Sequence, residues 1–265
     1  MRAPALLGPS DAEPLILLRP KARSRVLLVC EHAGRATPAA LGDLGVPAAE
    51  MDRHIAWDVG AMGLAEALSA RLEAALIAQP YSRLVIDCNR PTAASDLVPA
   101  VSDGIPIPGN AGLDEAARAL RLEFIHAPFH AAIAAQLDQR TRVGLAPVLV
   151  TIHSFTPRLA VGGLERPWQA GFCCNRDDRL ARALLAETKA RAPSLCLALN
   201  EPYSVDDLGD YTIPVHGEAR GLLHVLVEVR NDGITEPAGQ RCWADLLAEA
   251  LAAAIVQLNA REAAA

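Results

Sequence analysis

The sequence predicts an α/β fold in which helices cover both faces of a mixed, largely parallel central sheet, forming a three-layer sandwich. Short apolar runs rich in β-branched residues alternate with stretches of helical periodicity, and this alternation is typical of α/β proteins. Several apolar runs end in His, Asn, Arg or Glu, as expected for a ligand crevice at the carboxyl ends of strands. The 265 residues show no internal repeat or linker, so we expect one domain over residues 1–265.

The apolar runs predict strands that are bounded by turn-forming residues. These strands are expected over residues 14–19, 25–31, 76–78, 84–86, 147–152, 170–174, 195–199 and 222–229. Between them, helical spacing of apolar residues predicts helices from about residue 48 and over residues 59–75, 114–140, 177–191 and 243–260. Gly and Pro interrupt residues 33–47 and 92–112, which predicts loops there.

The composition favours a cytoplasmic protein that binds neither nucleic acid nor a membrane. The net charge is −6, and no basic stripe is available to neutralise nucleic-acid phosphates. The longest apolar runs are far shorter than the ~20 residues of a membrane-spanning helix. Six cysteines occur without a C-x-x-C pair, which indicates reduced thiols of a cytoplasmic protein. We therefore expect neither a nucleic acid nor a membrane as partner, and the oligomeric state stays open.

Two histidines follow predicted strands and are candidate metal ligands. His32 comes just after the run at residues 26–30, and His153 comes just after the run at residues 147–152. Neutral imidazole is the commonest protein ligand of catalytic metals, and a catalytic zinc has three protein ligands and an open position. A carboxylate would complete the set. Position alone leaves four candidates for it: Asp52, Asp58, Glu31 and Asp87.

Two further strand ends carry charged groups that suit a catalytic site. Asn89 and Arg90 follow the run at residues 84–86, and an Arg beside an Asn suits the binding of a substrate carboxylate, although a surface ion pair is the simpler interpretation. Glu228 follows Val227 in a buried run. A carboxylate buried there needs a partner or a function, and one with a raised pKa would serve as a general base. Arg230 is the alternative partner of Glu228.

Motifs of three other hydrolase classes are absent from the sequence. There is no Gly-rich loop that ends in Lys-Ser/Thr, no G-x-S-x-G elbow and no H-E-x-x-H helix, so P-loop, serine-elbow and thermolysin-like chemistries lack their residues.

Six segments together resemble the N-formylglutamate amidohydrolase family over most of the chain. They are residues 30–34 (CEHAG), 52–58 (DRHIAWD), 81–91 (YSRLVIDCNRP), 127–130 (APFH), 152–157 (IHSFTP) and 227–231 (VEVRN). The third and fifth segments are the specific ones. This family in turn resembles the zinc carboxypeptidase-like hydrolases, and the predicted fold is then phosphorylase/hydrolase-like.

The resemblance implies roles for individual residues. His32 and His153 become zinc ligands, Asn89 and Arg90 become substrate anchors, and Glu228 becomes the general base. The carboxypeptidases carry a ligand Glu three residues after the first His, but this chain has Arg35 there. The third ligand must therefore lie elsewhere: Asp52 is the first choice, His54 the second and Glu31 the third. The further expected substrate contacts are Arg83, His54, His130 and Arg230.

The implied reaction is hydrolysis of the C–N bond of an N-acyl amino acid, with N-formyl-L-glutamate as the family's example. Zinc would polarise the acyl carbonyl and acidify the attacking water, and Glu228 would accept the proton of that water. Glu31, Ala33 and the Ala56–Asp58 segment depart from the histidine-utilisation members, so the acyl group and the amino acid stay open. The alternatives are a hydrolase of another N-acyl amino acid or small peptide, and a non-catalytic carboxylate-binding protein on the same scaffold.

Overall fold

A computed structural model describes residues 5–163 and 165–263 of the chain. The described residues contain nine strands: β1 (Ile16–Leu18), β2 (Val26–Cys30), β3 (Ala75–Ala78), β4 (Val101–Ser102), β5 (Ile105–Pro106), β6 (Val148–Phe155), β7 (Ala170–Cys173), β8 (Leu197–Leu199) and β9 (Leu223–Arg230). They contain six α-helices: α1 (Ala48–Met51), α2 (Ala61–Arg71), α3 (Glu115–Arg121), α4 (Ala127–Arg142), α5 (Arg179–Arg191) and α6 (Pro237–Ala263). Two π-helical turns cover Leu122–His126 and Ile213–Gly217.

Seven strands form the central sheet in the order β1-β3-β2-β6-β9-β7-β8. The four strands β3, β2, β6 and β9 are parallel to one another, whereas β1 and β7 run antiparallel to their neighbours β3 and β9. The sheet is therefore mixed and centred on parallel strands, which confirms the predicted fold class. Strands β4 and β5 form a separate hairpin inside the long loop predicted over residues 92–112.

Alternation of side chains along the strands divides the core into two layers. Val148, Val150 and Ile152 of β6 belong to one buried cluster, which also contains the apolar faces of α2, α5 and α6. Leu149 belongs to the second cluster, with Phe129 of α4 and the loops on the other side of the sheet. His153 continues the row of Leu149, so it faces the second layer. The β6–β9 register pairs His153 with Glu228, which puts both polar side chains on that face.

The predicted strand over residues 84–86 is wrong. Leu84 and Val85 are fully buried but lie in a turn, in which Val85 N–H donates to the Ser82 carbonyl at 2.9 Å. An apolar run of three residues is too short to reveal strand or helix periodicity, and here it anchors a loop to the second layer. Conversely, β6 extends to Phe155, so His153 lies within a strand rather than after it.

Helix α6 is long and apolar enough by length and composition to cross a membrane. Its residues Trp243, Leu247 and Leu251 are buried in the first core layer together with residues of α2 and α5. Part of the apolar composition of α6 is therefore accounted for by packing against α2 and α5.

Gly60 fixes the turn that connects Asp58 to α2. Its φ of +81° is a left-handed conformation that L residues rarely adopt, and an added Cβ would lie 2.2 Å from the Ile234 carbonyl oxygen. The segment before Gly60 is bound to the chain that follows β2, since Asp58 N–H donates to the His32 carbonyl at 2.9 Å. Only glycine satisfies both requirements at this position.

We expect Gly60→Ala to destabilise the protein more than Gly144→Ala does. Gly144 has nearly the same φ, +79°, but an added Cβ would meet no heavy atom within 4 Å. Backbone strain should cost about 1 kcal/mol at both sites, and the collision with Ile234 should add roughly 1–3 kcal/mol at Gly60. Urea unfolding of the two variants measures the difference, and equal losses would contradict a close approach at Gly60.

Candidate metal centre and substrate cavity

A cavity of about 260 Å³ opens over the carboxyl-terminal halves of β6 and β9. Four of its lining residues come from separate places in the chain: His32 after β2, Asp58 before α2, His153 on β6 and Glu228 on β9. Each of these four side chains is almost completely buried. The sheet thus brings together His32, His153 and Glu228, as the polar strand ends predicted.

Asp58 lies between the two histidines. Its Oδ2 atom is 3.4 Å from Nδ1 of His32 and 3.0 Å from Nδ1 of His153, and it also accepts the Ser154 N–H at 3.2 Å. The two imidazole rings are nearly perpendicular, with centroids 5.0 Å apart. The potential ligand atoms of all three residues lie within 4.8 Å of one another, so they converge on one point.

Two more buried carboxylates lie beside the outer nitrogens of the same histidines. Nε2 of His32 lies 2.7 Å from Oδ1 of Asp87, and Nε2 of His153 lies 3.0 Å from Oε2 of Glu31. Each imidazole therefore has one nitrogen toward Asp58 and the other toward an outer carboxylate. This arrangement, with a carboxylate behind each histidine, is common around protein metal sites.

The charges of this cluster shift the pKa values of its members. Burial opposes charge on Asp58, but His32 and His153 nearby hold the pKa of Asp58 well below its usual range. Burial likewise opposes protonation of His153, yet Glu31 and Asp58 raise the pKa of His153 well above its usual value. Arg83 contributes a positive charge, since its Nη2 lies 2.7 Å from Asp87 and its Nη1 lies 3.5 Å from Asp58.

Glu228 differs from the other carboxylates of the cavity. Its Oε2 atom is buried and has no hydrogen-bond partner among the described residues. Burial, with a smaller contribution from the negative charge of Asp58, raises the pKa of Glu228 to about 7 even though His153 and His32 lower it. A carboxyl group with such a pKa can both accept and release a proton near neutral pH.

Arg90 and Asn89 also line the cavity, but the fold already uses most of their polar atoms. The Asn89 side chain donates to Asp210 at 2.8 Å and accepts the N–H groups of Tyr211 and Thr212. Arg90 donates from Nε to Asp96 at 2.9 Å and from Nη1 to the Gly209 carbonyl. Both residues therefore tie the loop over residues 203–212 to the wall of the cavity.

The first choice for the third ligand, Asp52, is corrected by the structure. The Asp52 side chain is 63% exposed and forms an ion pair with Arg35 at the surface, and Asp58 takes the place between the histidines. His54, the second choice, lines the cavity with Nε2 at 3.2 Å from Asp103. Glu31, the third choice, contacts the edge of His153 that faces away from Asp58.

Two expected substrate contacts lie outside the residues that line the cavity. His130 is buried behind it, with Nε2 at 2.8 Å from the Cys88 carbonyl and Nδ1 at 3.1 Å from His216. Arg230 lies at the end of β9 and donates to Asp232 at 2.9 Å and to the Arg166 carbonyl at 3.2 Å. Both side chains are therefore bound to structural partners and not exposed to the cavity.

The loop over residues 203–212 supplies lining residues that the sequence did not reveal, including Tyr203, Asp206 and Asp210. Burial raises the pKa of Asp210, whose carboxylate accepts the Asp206 N–H at 3.1 Å. These residues lie in an irregular segment without periodicity or a motif. The one available signal in the sequence is that three acidic residues, Asp206, Asp207 and Asp210, stand close to Gly209 between two predicted strands.

The comparisons with known proteins give one family match and two solved structures that resemble this chain over nearly its whole length. The family model for N-formylglutamate amidohydrolase matches residues 24–235. The crystal structure of gene product Atu2144 from Agrobacterium tumefaciens is 37% identical, with a TM-score of 0.91, and the match covers 96% of this chain and 99% of that one. N-formylglutamate amidohydrolase from Ralstonia eutropha JMP134 shares the fold at 19% identity and a TM-score of 0.62, over 96% and 100% of the two chains. No curated protein sequence matches.

Proposed function

The chain belongs to the N-formylglutamate amidohydrolase family, and we propose that it is a zinc-dependent hydrolase of a small N-acyl amino acid such as N-formyl-L-glutamate. The observation that carries the proposal is the placement of His32, Asp58 and His153 around one point, beside the unpartnered carboxylate of Glu228. We also propose that residues 1–265 form a single catalytic domain, which is supported by a sheet that draws strands from both halves of the chain.

The donor set of His32, Asp58 and His153 fits a zinc ion. Two ligands of one zinc, each bonded at about 2.0–2.2 Å, can lie no more than about 4.4 Å apart. The Asp58 oxygen meets this limit with both histidine nitrogens, at 3.4 and 3.0 Å. Moreover, Nδ1 of His32 is buried without a hydrogen-bond partner among the described residues. Two imidazoles and one carboxylate are a common set for a catalytic zinc with an open position.

Glu228 is proposed as the general base. When bound, zinc would polarise the acyl carbonyl and acidify the attacking water. Glu228 would accept a proton as the water oxygen attacks the acyl carbon, and would return that proton to the nitrogen as the C–N bond breaks. The products are the free carboxylic acid, formate in the family's example, and the amino acid. The unpartnered Oε2 of Glu228 in the cavity supports this role.

Arg90 is proposed as the anchor of the substrate carboxylate. It lines the cavity, and one of its three side-chain hydrogen bonds is to Asp96, whose side chain is 59% exposed. This exposed contact contributes little. Arg83 is more strongly held between Asp58 and Asp87 and is proposed to position these carboxylates. The cavity volume of about 260 Å³ lies below the ~300–1,000 Å³ of drug-sized ligand sites, which favours a single acyl amino acid over a peptide.

We expect the purified protein to contain about one zinc ion per chain and to hydrolyse N-formyl-L-glutamate. Removal of zinc by a chelator should abolish turnover, and added zinc should restore it, because the proposed reaction needs zinc to acidify the attacking water. Elemental analysis and formate release measure the two properties. Chelator-resistant activity without a stoichiometric transition metal would contradict the proposal.

The same assay with N-acetyl-glutamate, N-succinyl-glutamate and N-formyl-aspartate tests the substrate. A higher kcat/KM on one of these compounds than on N-formyl-L-glutamate would identify that compound as the better substrate. Binding of all four without turnover would instead identify a carboxylate-binding protein on this scaffold.

We expect Glu228→Gln to lower kcat by about 10²–10⁴-fold, the usual contribution of a general base. Gln has the same shape but cannot accept a proton, so zinc content and the unfolding transition should stay as in the parent. Glu123→Gln, at an exposed position, is the matched control. If Glu228→Gln retains turnover, or loses zinc and unfolds, the residue is not the base.

A further inference from the structure

Glu31 is a buried carboxylate to which the proposed reaction gives no role. We propose that Glu31 is a positioning residue, which binds Nε2 of His153 and thereby directs Nδ1 of His153 to the metal ion. This inference rests on the proposed function, because it requires a metal at His32, Asp58 and His153.

The imidazole of His153 is held at both of its nitrogens. Oδ2 of Asp58 lies at hydrogen-bond distance from Nδ1, at 3.0 Å. Oε2 of Glu31 lies 3.0 Å from Nε2, an ion-pair contact in which neither atom has a hydrogen-bond partner among the described residues. The Glu31 side chain is 0% exposed and that of His153 is 4% exposed, so water does not compete for either contact. A rotation of the ring about its χ2 bond would break both contacts at once.

The charges around His153 also select its tautomer. Ionised carboxylates only accept hydrogen bonds, so a neutral His153 must donate its single proton to one side. A metal ion beside Asp58 requires the Nδ1 lone pair, which leaves the proton on Nε2, the nitrogen that lies 3.0 Å from Oε2 of Glu31. Glu31 therefore stabilises the tautomer that binds metal and makes the imidazole a stronger ligand.

Glu31 differs from Asp87, which occupies the matching position behind His32. The Asp87 carboxylate is shared with Arg83 at 2.7 Å and with the N–H of Asn89 at 2.9 Å. Among the described residues, no arginine or lysine forms an ion pair with Glu31. The charge of Glu31 is therefore not shared with an arginine, and its removal should weaken metal binding measurably.

Direct ligation by Glu31 is the other way to explain its burial beside the site. Glu31 contacts the edge of the His153 ring opposite to Asp58. It is also absent from the group of ligand atoms that converge within 4.8 Å. Both observations favour a role for Glu31 in positioning His153 over a role as a metal ligand itself.

The test is the zinc dissociation constant of Glu31→Gln, measured by competition with a chromophoric chelator. Gln keeps the length and an acceptor oxygen but removes the charge. We expect zinc binding to weaken about 10–100-fold, the usual effect of losing a group that supports a metal ligand. The metal-free variant should unfold cooperatively near the parent midpoint. Glu249→Gln, whose side chain is 74% exposed, should bind zinc like the parent.

The outcomes separate this inference from the proposed function. A parent protein that binds no zinc would overturn both. A parent that binds zinc, with Glu31→Gln within about threefold of it, would overturn the role of Glu31 alone.

A measurement on the zinc-loaded parent keeps the proposal testable if Glu31→Gln does not fold. Long-range ¹H–¹⁵N spectra of the histidine rings should show metal-bound histidines that coordinate through Nδ1 and carry a proton on Nε2. A metal-bound histidine without a proton on Nε2 would contradict the positioning role.

Discussion

The carboxylate of Asp58 between the Nδ1 atoms of His32 and His153 is the interaction on which the rest of the site depends. A buried carboxylate is costly unless it is paired, and here it is flanked by two imidazoles, a backbone N–H from Ser154 and the guanidinium of Arg83. The outer carboxylates Asp87 and Glu31 lie beside the Nε2 atoms of His32 and His153, respectively. The fold therefore concentrates ionisable groups in a buried position, and this arrangement suits the proposed metal ion.

The sheet fixes the relative positions of two residues of this site. His153 and Glu228 lie opposite each other on two long parallel strands, and their common register fixes the distance between the candidate metal and the candidate base. Asp58, in contrast, comes from a loop, and its position depends on the bond from its N–H to the His32 carbonyl and on the turn at Gly60. In this site the positions of His153 and Glu228 are fixed by the sheet, whereas the position of Asp58 depends on the local backbone contacts of its loop.

Much of the fold and three of the site residues could be predicted from the sequence, since they depend on local patterns. The runs before His32, His153 and Glu228 have strand composition, and the ends of parallel strands meet at one edge. The third ligand could not be predicted in the same way. Asp52 and Asp58 are only six positions apart, and the choice depends on a long-range contact: Arg35 forms an ion pair with Asp52 at the surface. His130 and Arg230 lie outside the residues that line the cavity, because a motif does not specify which neighbours its side chains bind.

Anomalous diffraction at the zinc edge, from a crystal grown with zinc, tests the central claim most directly. The account predicts one strong peak per chain, about 2.0–2.2 Å from Nδ1 of His32, Nδ1 of His153 and a carboxylate oxygen of Asp58. A protein that binds stoichiometric zinc at Asp52 or elsewhere, with no peak between these three residues, would contradict it.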